Sequence, residues 1–222
     1  MIVAFDLEGT LVDAELFPAL GKCIGKKPAL EDITNRAMRG ELDFTTSLDM
    51  RMELVQGMSL ETVRRVSESL SLSKGAKETV YEIKRIGGIP IIITGGFDIL
   101  ANRVARLLGI EYVCCNRFKI EENCVTGIME PMVTGKGKAE KLLGLTSWLG
   151  IKPSNCVAVG DGANDIDMMK ATGLSIAFNG RRRVCDAATV SIKERDLRLI
   201  LPYIEKFANR GNAKRKALVT QS

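Results

Sequence analysis

Six short apolar runs recur along this chain, at 2–5 (IVAF), 89–93 (IPIII), 111–115 (EYVCC), 156–159 (CVAV), 174–178 (LSIAF) and 189–192 (TVSI). Most lack the polar alternation of a half-exposed strand, so they read as strands covered on both faces. Helical stretches separate many of them. Residues 73–88 place Ala76, Val80 and Ile83 on one face and end at Gly87-Gly88. Residues 99–110 are periodic and end at Gly109, and 164–173 follow the same pattern. Strand-helix alternation of this kind predicts an α/β fold built on a doubly wound, mainly parallel sheet.

Residues 14 to about 74 break the alternation. They are polar and apolar at helical spacing throughout, contain no convincing buried strand, and are too long for a loop. A helical cap inserted between the first two core strands is the expectation; from the residues alone an ordinary helical subdomain fits equally. Residues 118–131 alternate weakly around a polar turn and predict a hairpin. The expected organisation is a core of 1–13 plus 75–206, a cap of 14–74, a small hairpin insertion at 116–133 and a basic, solvated tail at 207–222.

Composition excludes several chemistries. Among 222 residues there is no histidine, which removes the Ser-His-Asp triad, histidine phosphotransfer and the usual zinc hydrolase site. No cysteine is followed six positions later by arginine, and Gly135-Lys136 lacks the glycine that a Walker A loop needs. The six cysteines form no Cys-x-x-Cys pair and are expected as reduced core residues. No apolar run reaches the roughly 18 residues of a membrane span, and the first residues lack a basic leader, so a cytoplasmic protein is expected. A net charge of +5 suits small anionic substrates, while 5% aromatic content offers few stacking platforms; neither nucleic acid nor membrane is an expected partner.

Three strand ends carry the chemistry. The first strand ends in Asp6-x-Glu8, the second in Thr94-Gly95-Gly96, and the 156–159 strand in a segment bearing Asp161, Asn164 and Asp165. Ligands gather at the carboxyl ends of strands in open parallel sheets. Asp6, Glu8, Asp161 and Asp165 would converge there and repel strongly unless a cation sat among them. Oxygen donors without His or Cys select Mg²⁺, and the glycines let backbone amides approach an anion. Lys136, just before a helix, is the expected cation at the phosphate; Lys138 and Lys141 lie close by.

In order, DLEGT, TGG, Lys136 and GDGANDID resemble the four motifs of the haloacid dehalogenase superfamily of phosphatases, over residues 1 to about 205. Within it the chain resembles the phosphoserine phosphatases: TGGFDI is similar to their Ser-Gly-Gly-Phe segment, CNRF (115–118) to Ala-Asn-Arg-Leu, and 193–201 to their C-terminal segment. The resemblance implies a Rossmann-like core, Asp6 as nucleophile forming an aspartyl-phosphate, and Glu8 as acid-base residue. It implies Mg²⁺ held by Asp6, the Glu8 carbonyl and Asp161, with Asp165 ordering its outer shell. Thr94, Gly95, Gly96 and Lys136 would hold phosphate, and Asn164 would orient neighbouring groups. In the cap, Glu15 would meet the substrate ammonium, Arg51 its carboxylate, and Met38 and Phe44 its apolar surroundings. The implied partner is a small phosphorylated amino acid, the implied assembly a monomer or homodimer.

Two residues depart from that pattern. The family's second acid is usually Asp, and Glu8 carries its carboxyl about one carbon–carbon bond, ~1.5 Å, further out. Thr94 replaces Ser and keeps the hydroxyl. Two alternatives stay open: the same chemistry on another small phosphate ester, or phosphotransfer to a second alcohol; and a phosphate-binding regulatory module with weak turnover.

Overall fold

The computed structural model describes residues 1–129 and 133–209. β1 (Ile2–Phe5) leads into four helices, α1 (Leu16–Cys23), α2 (Lys27–Arg39), α3 (Phe44–Val55) and α4 (Leu60–Ser69). Then come α5 (Ala76–Arg85), β2 (Ile89–Phe97), α6 (Asp98–Leu108) and β3 (Tyr112–Asn116). A hairpin of β4 (Phe118–Glu121) and β5 (Cys124–Ile128) precedes α7 (Gly135–Trp148) and β6 (Cys156–Gly160). The order continues with α8 (Ile166–Lys170), β7 (Leu174–Phe178), α9 (Arg182–Ala187), β8 (Val190–Ile192) and a helical stretch at 201–209.

Each of the six apolar runs forms a strand, and all six join one parallel sheet in the order β3-β2-β1-β6-β7-β8. Side chains alternate across a strand, so β1 feeds two cores. Val3 and Phe5 pack with α5, α6 and the apolar faces of α1, α3 and α4. Ile2 and Ala4 pack with Leu142 of α7, Met168 and Met169 of α8, and Val184 of α9. One finding differs from expectation on β2. It runs on through Thr94 to Phe97, with a register shift against β3 between Ile93 and Phe97. The polar segment is therefore part of the strand and not a loop beyond it.

The expected cap is the bundle α1–α4. Asp43 and Ser59 start α3 and α4 by accepting the Thr46 and Thr62 amides at 2.9 and 3.3 Å, bonds worth about 1 kcal/mol each. The two chain passages that join bundle to core run side by side, Ser73 N–H donating to the Leu11 carbonyl at 2.8 Å. The hairpin braces the far end of the bundle: Gly57 N–H donates to the Val125 carbonyl at 2.8 Å, and Val125 N–H to the Met58 carbonyl at 2.9 Å. Two anchors therefore fix the bundle over the sheet.

All six cysteines are free, as expected; Cys156 is buried and Cys114, Cys115 and Cys185 pack half-buried against the core, whereas Cys23 is exposed. No helix among the described residues is long and apolar enough to cross a membrane. The helix at 201–209 carries the core slightly past residue 206; the rest of the expected tail, 210–222, lies outside the described residues, as do 130–132 of the expected hairpin insertion.

Candidate active site

The register of three strands builds the site. Phe5 pairs with Ile92 of β2 on one side and Val159 of β6 on the other. The next residues are Asp6, Ile93-Thr94 and Gly160-Asp161, so the three polar strand ends are forced side by side. Asp6 N–H donates to the Val159 carbonyl at 2.9 Å, which holds the backbone in sheet geometry up to the carboxylate. From β1 the chain runs outward to β2 and β3 on one side and to β6, β7 and β8 on the other. This is the topological switch point, where α/β sheets place ligands.

Asp6, Asp161 and Asp165 are buried, and each offers a carboxylate oxygen within 4.8 Å of the others. Lys138, the fourth residue of α7, has its ammonium 2.9 Å from Asp6 Oδ1 and 2.7 Å from Asp165 Oδ1. Asp165 also accepts the amides of Asp161 and Gly162 at 3.2 and 3.0 Å, and Thr10 Oγ1 donates to Asp161 Oδ1 at 3.2 Å. Gly9 turns here with φ +76°, and a Cβ on it would collide with the Asp161 carboxylate. Only glycine satisfies both conditions.

The cap forms the opposite wall. A cavity of about 210 Å³ is lined from the core by Asp6, Glu8, Thr94, Gly95, Gly96 and Asn164, and from the cap by Glu15, Met38, Phe44 and Arg51. The Phe44 ring lies on Gly95, where any side chain would displace it. Glu8 joins the two walls. Its Oε1 accepts the Leu16 amide at 2.5 Å, at the start of α1. Glu15 occupies the N-cap position of that helix without making a side-chain capping bond. The longer acid at position 8 does the capping, and the Glu15 carboxyl is left to the cavity.

Burial dominates the electrostatics. It raises the Glu8 carboxyl to about 7, against the Leu16 amide and Arg51, which favour its charge. Burial and then Glu8 raise Glu15 to about 8. Burial and then Asp6 raise Asp165 to about 6 and push Asp161 well above its ordinary value. Burial alone would lower Lys138, but Asp165 and Asp6 outweigh it and hold the ammonium above its usual range. Burial lowers Arg51, partly offset by Glu15. Protons are bound chiefly because burial disfavours the charged form, and the neighbouring carboxylates add to it. The donor set fits a hard divalent cation: three clustered carboxylates, oxygen atoms only, in a chain with no histidine.

Lys136 is not the site cation. It is exposed, whereas Lys138 is fully buried between two carboxylates. Residues two apart on a helix point to nearly opposite sides, so α7 can present only one of them. The phase of α7 carries the signal that decides between them: Lys138, Leu142 and Thr146 are buried at fourfold spacing. The other expected residues meet in the cavity or in the carboxylate cluster behind it. Thr94 Oγ1 accepts the Gly96 amide at 2.9 Å, and Asn164 Oδ1 is buried with no hydrogen-bond partner among the described residues. The sequence reading gave no role to Asn116. Its Nδ2 donates to the Gly95 carbonyl at 2.8 Å and its Oδ1 accepts the Val133 amide at 2.6 Å, tying the end of β2 to the approach to α7. A lone buried Asn at a strand end was the available signal.

Comparisons agree with this geometry. A phosphoserine phosphatase of Methanocaldococcus jannaschii is 36% identical over 205 residues, covering 92% of this chain and 97% of that protein. A solved phospho-aspartyl intermediate analogue of phosphoserine phosphatase superposes with a TM-score of 0.89 at 35% identity, covering 91% of this chain and 98% of that one. A substrate-bound phosphoserine phosphatase complex gives 0.89 at 34% identity, covering 91% and 97%. The sequence profile of the haloacid dehalogenase-like hydrolases matches residues 1–173, and this chain belongs to that family.

Proposed function

We propose that the chain is a Mg²⁺-dependent phosphomonoesterase that hydrolyses O-phosphoserine to serine and phosphate through an aspartyl-phosphate on Asp6. The observation that carries this reading is a single small cavity with two unlike walls. One wall carries a nucleophile and phosphate-sized polar groups; the other carries one acid and one guanidinium. A substrate with phosphate, ammonium and carboxylate matches all three. The substrates named for the similar solved structures support it.

Asp6, Asp161 and Asp165 are the residues that would hold the ion, with the Glu8 carbonyl as a further donor. Bound there, Mg²⁺ supplies charge neutralisation for the transferring group. A carboxylate oxygen of Asp6 attacks phosphorus in line, and the bond from phosphorus to the serine oxygen breaks. Glu8, protonated at a pKa of about 7, gives its proton to the departing oxygen. Glu8 then takes a proton from water, whose oxygen attacks phosphorus; phosphate leaves and the Asp6 carboxylate is restored. Thr94 Oγ1, the Gly95 amide and the Lys138 ammonium hold the equatorial oxygens, with Asn164 beside them, and the Gly96 amide keeps the Thr94 hydroxyl in place. Glu15 accepts from the substrate ammonium, and Arg51 grips the carboxylate by its two-pronged fork. Met38 and Phe44 close the space between.

The test is phosphate release from a panel of phosphate esters, in Mg²⁺ and in EDTA, for wild type and Asp6→Asn. Release from phosphoserine is expected in Mg²⁺ only and is lost in Asp6→Asn. Turnover that persists in Asp6→Asn contradicts the aspartyl-phosphate route.

A further inference from the structure

Arg51 is buried, yet only Nε among its donors is hydrogen-bonded within the described residues. It reaches the Ser47 carbonyl one turn earlier on α3, at 3.0 Å. The guanidinium carbon lies 4.9 Å from the centroid of the Phe17 ring on α1. That ring meets Phe97 edge-on, with centroids 5.6 Å apart and planes at 80°. Phe97 in turn stacks on Phe118, at 3.8 Å and 10°. The three buried rings make a column from the hairpin, through the end of β2, to the first cap helix, and Arg51 rests on its end.

A buried aromatic ring has few torsions and little room to move, so a column of three is a stiff support. A guanidinium over a ring face is held there by the ring's quadrupole, most strongly where water is excluded. With its guanidinium carbon over the Phe17 ring and Nε tied to its own helix, Arg51 has its terminal Nη pair left, and Arg51 is part of the cavity wall. Phe17 does not line that wall.

We propose that Phe17 is a specificity-determining positioning residue: its ring fixes the plane of the Arg51 guanidinium, so that the Nη fork meets the substrate carboxylate already oriented. This rests on Arg51 being the carboxylate clamp. Phe118, where the similar family segment has Leu, completes the column behind it.

The experiment compares phosphoserine with phosphoethanolamine, which lacks the carboxylate, using wild type, Phe17→Leu, Phe17→Met, Phe17→Tyr, Arg51→Ala and the Phe17→Leu/Arg51→Ala double variant in Mg²⁺. Phe17→Leu and Phe17→Met are expected to raise KM for phosphoserine about tenfold. They should leave kcat, and both parameters for phosphoethanolamine, within about twofold. Phe17→Tyr keeps the ring and the wild-type preference. In the Arg51→Ala background, Phe17→Leu has no further effect on phosphoserine. Equal losses on both substrates, or no loss in either ring-less variant, overturn the role of Phe17. If Arg51→Ala itself treats both substrates alike, the clamp reading fails instead. A merely structural Phe17 would lower stability without separating the two substrates.

Discussion

The two walls of the cavity are built by different physics. On the core side backbone sets the positions: strand register aligns Asp6, Thr94 and Asp161, and two amides with the buried Lys138 hold the acids where they stand. On the cap side Arg51 rests on a ring, Phe44 on a glycine, and Glu15 sits at a helix start that another residue caps. The first wall is a property of the sheet and, on the proposed function, would serve any phosphate ester. The second depends on a few side-chain contacts and, on the same proposal, would decide which ester fits. Core substitutions should therefore change kcat for every substrate, and cap substitutions should change preference.

The largest effect that can break this division is at Lys138. Lys138→Met removes the ammonium that bridges Asp6 and Asp165, which on the proposed mechanism faces the transferring group, and is expected to lower kcat on the order of 10³-fold on all substrates. The same change at Lys136 should leave kcat within about twofold. The reverse result would return the site cation to Lys136.

Next comes acidity. Burial places the Glu8 carboxyl at about 7, so on the proposed mechanism the proton it would donate is lost above that pH. In wild type kcat/KM should fall about tenfold per pH unit on that side. Glu8→Gln, slow at every pH, should lose that limb. Glu8→Asp should keep it, but its shorter carboxylate gives up the Leu16 amide, at about 1 kcal/mol of stability. An unchanged alkaline limb in Glu8→Gln would assign the proton to another group.

The same acids set stability. Glu8, Glu15 and Asp165 have folded-state pKa values of about 7, 8 and 6, all above their ordinary values. Each stabilises the fold fully below its unfolded pKa and loses that contribution as pH rises through the folded one. In EDTA the melting temperature should fall between pH 6 and 8, by about 2–4 °C per kcal/mol lost. Mg²⁺ should restore more at pH 8 than at pH 6. A Mg²⁺ response that does not grow with pH would remove the carboxylate cluster as its source.

The smallest effect lies at the rim. Arg181 Nη2 donates to Asn35 Oδ1 of α2 at 2.7 Å, an exposed contact between core and cap. Arg181→Ala should change KM by less than about threefold, since exposed polar pairs contribute little.

The same contrast explains what could be read in advance. The strands were legible because doubly covered strands leave unbroken apolar runs, and the acids because they follow those runs. Motif position alone points to Lys136, and only the phase of α7 points to Lys138. Once buried Leu142 and Thr146 are placed on its face, Lys138 is the inward residue. On the cap, residue type alone could not separate Arg51 from a surface cation. Its place in the buried stripe Leu48, Arg51, Met52 and Val55 could have done so. The aromatic column was hidden, because Phe17, Phe97 and Phe118 are far apart in sequence and only tertiary packing stacks them.

The division of labour between the walls is tested most directly on the unmodified protein, by the ratio of kcat/KM for phosphoserine to that for phosphoethanolamine in Mg²⁺. Loss of one buried, charge-assisted carboxylate contact is worth about two powers of ten. A ratio on the order of 100 is the predicted result; a ratio near one would contradict the account.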